Sequence, residues 1–147
     1  MQRFYIAPFL ALSIGITMPI TLDAKDGNNF ERKGVVVETL IKSSKQWNGQ
    51  VLPNYPNTAP EITVLRITIP PGITLPIHNH PVINTAVILK GELEVILPKG
   101  KKRVFKEGEA LIEVVDQVHY GRSLGDKPVV IIVFYAGSEG LTTTILE

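Results

Sequence analysis

Three histidines are the chain's only imidazoles, and their spacing suggests what they could do together. His78 and His80 stand one residue apart in GITLPIHNHPVINTAVILKG, residues 72–91. Alternate residues on an extended strand point to the same side, so this pair projects two rings into one space, where neutral ring nitrogens can share a metal ion. The third, His119, lies far downstream in GEALIEVVDQVHYG, residues 108–121. A third ligand commonly arrives this way, on a distant strand that the fold brings near. Cysteine is absent. That excludes disulfides, zinc fingers, thiol nucleophiles and a lipoprotein anchor, and leaves nitrogen and oxygen as the only donors for a metal.

The elements that must position these rings read as strands throughout. Val35–Ile41 is a short β-branched run, and Glu61–Ile69 (EITVLRITI) alternates before PPG ends it. Further runs follow at Thr85–Leu89, Leu93–Leu97, Arg103–Phe105, Ala110–Val115 and Val129–Tyr135. Between them lie KG, PKGKK, KEG and GDKP, each suited to a tight reversal. No segment sustains a helical period. Many short, evenly spaced strands predict an all-β sandwich or small jelly-roll barrel. With 147 residues, 44% hydrophobic, and a net charge of +1, the chain suits one domain with a real core and has no basic stripe for nucleic acid.

Two segments depart from this rhythm. At the start, Arg3 precedes 19 uncharged residues, Phe4–Leu22, and Ala24 stands before the charged KDGNN segment. This is the pattern of a signal peptide over residues 1–24, with a single domain over residues 25–147 and a secreted or periplasmic protein as the product. The alternative is a retained membrane anchor. Residues 42–60, KSSKQWNGQVLPNYPNTAP, form a long connection around Trp47 and Tyr55. Either Trp47 plugs one end of a barrel, as large aromatic residues usually do, or the loop is a lid over the histidines.

These residues resemble the cupin family. Its first motif runs from a glycine through a His-x-His pair and a Glu to a second glycine. Gly72, His78, His80 and Gly91 match it in type and spacing, with Asn84 in the place of Glu. In the second motif Gly108 and His119 keep their separation, while Val114 and Asp116 stand where Pro and Gly are usual and Ser123 where Asn is. The resemblance spans roughly residues 62–135. It implies a cupin double-stranded β-helix with a divalent metal ion held by His78, His80 and His119, iron first, with manganese, nickel or zinc as alternatives. It does not imply one reaction.

Asn84 matters because an amide has the reach of the family's carboxylate without its charge. Either the metal sees three histidines and water, or the Asn84 amide oxygen is a weak fourth ligand; in both cases the ion keeps more of its positive charge, which acidifies bound water and favours an anionic substrate. Loss of the metal site altogether is the competing outcome. Glu109 and Glu113 are candidate replacement carboxylates, although a turn before His119 upsets the alternation that would aim Glu113 inward. Tyr120, Tyr135 and Arg66 are candidate lining residues.

The resemblance to three-histidine cupins, several of which are iron dioxygenases, implies an exported small-molecule oxidoreductase of the dioxygenase kind. The alternatives are a non-catalytic small-ligand binding or sensing protein and a metal-dependent isomerase or hydrolase. Cupins often pair through sheet edges, so the resemblance leaves a homodimer open; no nucleic acid is expected as partner, and a membrane only if the leader is retained. Intact-mass measurement on protein from an extracytoplasmic fraction should show a chain starting close to Lys25; Met1 retained on membrane-bound protein would overturn export.

Overall fold

Short apolar, β-branched runs separated by turn residues recur along the chain, and every regular element of the structure, a computed structural model describing residues 34–147, is a strand. The chain divides into a unit of Met1–Val37 and a unit of Glu38–Glu147. The leader expected over residues 1–24 lies outside the described residues. Nine strands follow: β1 (Pro60–Ile69), β2 (His78–Asn79), β3 (Ile83–Lys90), β4 (Glu92–Ile96), β5 (Lys102–Lys106), β6 (Ala110–Ile112), β7 (Tyr120–Leu124), β8 (Val129–Ser138) and β9 (Ile145–Leu146). They form a four-stranded sheet in the order β1-β8-β3-β6, a three-stranded sheet β5-β4-β7 and a two-stranded ribbon β2-β9, all antiparallel. Sequence neighbours are rarely sheet neighbours, which is the double-stranded β-helix arrangement of an all-β jelly roll.

The core fills the space between the two larger sheets. Ile69, Ala86, Ile88, Ile131 and Val133 come from the four-stranded sheet, and Leu93, Val95 and Phe105 from the three-stranded one. Strand β3 shows how the pattern selects the face. Asn84, Ala86 and Ile88 are buried, while the intervening Ile83, Thr85 and Val87 face outward and are half-buried. Leu89 continues the outward face, and a register shift between Ile88 and Lys90 ends the alternation, leaving Lys90 exposed where an inward residue would come next.

The outward faces of the two sheets differ. On the three-stranded sheet Glu94 is held by Lys102 at 3.0 Å and Arg122 at 2.5 Å, and Glu92 by Lys106 at 3.6 Å. On the four-stranded sheet the outward face is largely apolar, with Ile62, Val64 and Phe134 each half exposed or close to it.

Several expectations change. Val35–Ile41 forms no strand beyond a single bridge residue at Val35, and Leu40 and Ile41 stay exposed. The run Ala110–Val115 stops as a strand at Ile112. Strand β7, YGRSL, carries no β-branched residue, so its composition does not mark it as β. Its Gly121 is there for space: a Cβ would meet the Leu93 and Leu75 side chains at 3.2 and 3.3 Å.

The segment 42–60 is a packed loop and not a lid. Lys45 bridges Val51, Gln46 is buried with its amide oxygen accepting from the Val115 N–H at 3.2 Å, and the Trp47 N–H donates to the Ile112 carbonyl at 2.9 Å. The Trp47 ring meets Phe105 edge-on, with centroids 6.2 Å apart.

The β3–β4 reversal depends on Gly91. Its φ is 80°, and a Cβ there would sit 2.7 Å from the Pro128 carbonyl oxygen. Gly91→Ala should cost about 2–4 kcal/mol, left-handed strain plus a backbone clash, whereas Gly108→Ala, with a similar φ of 84° and open space, should cost about 1 kcal/mol. Chemical denaturation of both variants checks this; equal losses would remove the clash from the account.

Candidate metal centre

The histidines converge by a backbone device. His78 and His119 form an isolated antiparallel bridge, each N–H donating to the other's carbonyl, at 2.9 and 2.8 Å. Such a pair places both side chains on one side of the strands, and His80, two residues on from His78, shares that side. The ring centroids are 4.4 Å apart for His78 and His119, 4.9 Å for His78 and His80, and 5.0 Å for His80 and His119. One ligand atom from each ring lies within 4.8 Å of the others.

Each ring is also oriented. The Nδ1 of His78 lies 2.7 Å from the Pro76 carbonyl oxygen, that of His80 2.8 Å from Thr143, and that of His119 2.8 Å from Gln117. A carbonyl only accepts, so Nδ1 carries the ring proton and the Nε2 lone pair is free in all three. Burial pushes all three imidazoles below their ordinary value, His80 to about 4, against the opposing pull of those carbonyls. Three neutral, aimed nitrogens are the donor set of a three-histidine metal site, and the residues present fit a divalent ion.

The rings open onto a cavity of about 240 Å³. Its walls are apolar, with Ile67, Leu75, Leu93, Val95, Ile131 and Val133 among them. Across it runs a polar row that the sheet register creates. Asn84 of β3 pairs directly with Tyr135 of β8, and on its other side its carbonyl accepts the backbone N–H of Glu113 at 3.1 Å. Tyr135, Asn84 and Glu113 all line the cavity, and the Tyr135 ring lies 5.5 Å from that of His80. Burial raises the Tyr135 phenol, with a hydrogen bond to Thr144 working against it.

Glu113 is the residue the sequence undervalued. Its side chain is buried, and its Oε1 accepts from the Trp47 indole N–H at 2.7 Å and from the Val114 N–H at 2.9 Å. Burial raises this carboxyl, against those two donors. Counting alternation forward across the turn to His119 hides it; counting back to Leu111, buried on β6, aims it inward. The turn itself is made by Asp116, which takes the left-handed conformation, φ 51°, at the position where the second motif usually has Gly.

The remaining candidates stand elsewhere. Arg66 is on the exposed side of β1 opposite Ile132, and neither it nor Tyr120 lines the cavity. The carboxylate of Glu109 lies at the surface, accepting from the Lys106 N–H at 2.6 Å. No residue of the 42–60 loop lines the cavity; Trp47 reaches it only through Glu113.

Comparison with known proteins agrees with this geometry. The family model of the cupin domain matches residues 65–135. A search of curated sequences finds no match. Among solved structures, the chain is similar to a DMSP lyase, DddQ, from Ruegeria pomeroyi, with 25% identity, a TM-score of 0.51, and 58% of this chain covering 42% of that one. It is similar also to the oxalate decarboxylase of Lactobacillus farciminis, with 19% identity, a TM-score of 0.51, and 58% of this chain covering 26% of that one. An uncharacterized Klebsiella pneumoniae protein with a double-stranded β-helix domain shows 24% identity and a TM-score of 0.51, with 74% of this chain covering 97% of that one. The chain thus spans less than half of the lyase and about a quarter of the decarboxylase, and what the likenesses share is the barrel. Sheet order, histidine spacing and family match agree: this chain carries a small cupin domain.

Proposed function

We propose that this protein is an exported, metal-dependent oxidoreductase of the dioxygenase kind, acting on a small and largely apolar molecule. The observation that carries this reading is the convergence of three free Nε2 lone pairs, with no carboxylate among them, on an apolar cavity. Bound there, an iron or similar ion would supply Lewis acidity and a one-electron couple to substrate and oxygen.

The chain's own residues do the rest. Pro76, Thr143 and Gln117 hold the rings in the ligating tautomer through their carbonyls. The aliphatic walls exclude water, which strengthens every electrostatic interaction inside. A cavity of about 240 Å³ suits a compact substrate rather than a polymer. Neither lysine nor arginine lines the cavity, so an anionic group would find its counter-charge at the metal.

His78→Ala, His80→Ala and His119→Ala should each lose most bound iron in elemental analysis while keeping the far-ultraviolet spectrum of the β fold, because the core strands are apolar without them. Full occupancy in all three would place the site elsewhere. Oxygen uptake by the iron-loaded wild type, screened over small apolar compounds with one or two oxygens, tests the reaction; saturable binding without uptake would favour the ligand-binding alternative.

Asn84→Glu adds an anionic donor beside the rings. It should tighten iron binding by roughly tenfold or more and lower turnover by a similar factor, since the carboxylate takes a position left to substrate and reduces the ion's charge. Unchanged affinity in a metal titration would separate Asn84 from the metal.

A further inference from the structure

The cavity holds one carboxyl whose two hydrogen bonds both fall on the same oxygen. Glu113 Oε1 takes the Trp47 and Val114 N–H groups, which fixes the side chain and leaves Oε2 to whatever occupies the cavity. Next to it in the polar row, Asn84 is only 2% exposed and its Nδ2 has no hydrogen-bond partner among the described residues. A buried amide N–H left unpaired costs about 1–3 kcal/mol, so an acceptor atom from a ligand is the expected complement. One side chain of the row accepts and its neighbour donates, and no lysine or arginine lines the cavity.

We propose that Glu113 is a catalytic residue that takes the proton of an acidic O–H on a small, largely apolar ligand, while the Asn84 amide donates to a second oxygen of that ligand. The ligand's O–H bond breaks, its electron pair stays on the ligand oxygen, and a new O–H bond forms on the Glu113 carboxyl. The ligand enters neutral, which the apolar walls favour, and becomes an anion only where the three-histidine site can hold a cation. No proton leaves the cavity. Asn84 and Glu113 come next along the β3–β6 register after Thr85 and Ile112 and are joined by a backbone hydrogen bond, so the two side chains that meet the ligand start about 5 Å apart at Cβ. This selects compounds with two oxygens on neighbouring or next-neighbouring carbons or heteroatoms, of the hydroxy-carbonyl kind. It rests on the metal-centre reading of the same cavity.

The test counts protons rather than turnover. Zinc, which has no redox chemistry, is loaded into the full chain, and acetohydroxamic acid, a small protic molecule with two oxygens, is titrated in by calorimetry at about pH 7 in two buffers of different ionisation enthalpy. In the wild type, release should be near zero, because Glu113 keeps the proton; in Glu113→Gln about one proton per probe should appear in the buffer. Equal release from both proteins overturns the assignment, and so does a zinc-loaded wild type that does not bind the probe. A wild type that takes up no zinc overturns the metal centre itself, which is a separate result. Glu113→Gln keeps an oxygen for the Trp47 indole; should it not fold, Trp47→Phe serves instead. That variant removes a donor to Oε1, so the carboxyl holds its own proton more tightly and the switch from retained to released proton should move to higher pH. An unmoved switch would overturn the proposal.

Discussion

Two backbone hydrogen bonds between His78 and His119 govern the site. They join residues far apart in sequence as a directly opposed pair, so the angle and distance between two rings come from peptide geometry and not from side-chain packing. His80 then follows by alternation, and its own carbonyl accepts the Asp116 N–H at 2.8 Å, which ties the turn before His119 back to the same strand. The sheets on either side serve to hold this bridge in register. Strand β7 begins at Tyr120 and pairs along its length with β4, while β3 leads from His80 into the core between β8 and β6.

Most of the barrel was legible because its information is local. The apolar, β-branched runs of β3 and β8, the turn residues between β3 and β6, and the His-x-His spacing are each contained in a few neighbouring positions. What was hidden depended on partners. Strand β7 is β because Gly121 lets Leu75 and Leu93 close over it, a fact about space that β-propensity does not encode. Arg66 alternates as an inward residue would on an apolar strand, but the apolar side chains beside it on the same face, Ile62 and Val64, point out to solvent as well. Glu113 was masked by a turn, and Trp47 by the general rule that a large aromatic fills space. It does pack, against Phe105, and its indole N–H also fixes the cavity's carboxyl.

The cavity shows how a small β-barrel divides its interior. One end is a close-packed aliphatic core, the other a polar row of Tyr135, Asn84 and Glu113 facing three imidazoles. Such groups are expensive to bury: desolvation opposes charge on the histidines and on Glu113 alike. The protein meets that cost with backbone carbonyls on each Nδ1 and backbone and indole N–H groups on Glu113, so that most of the polar atoms are satisfied by rigid partners. The Asn84 amide nitrogen and the second Glu113 oxygen are left over, and both residues line the cavity where a ligand would sit.

The chain has a single tryptophan, and its indole N–H rests on Glu113. Tryptophan emission from this protein is therefore a local signal, because its one indole touches one wall of the cavity and packs on Phe105 behind it. A change of charge on that carboxyl alters the field at the excited indole directly. The fold has thus placed an optical reporter one hydrogen bond from its polar row, and occupancy of the site can be followed in the unlabelled protein.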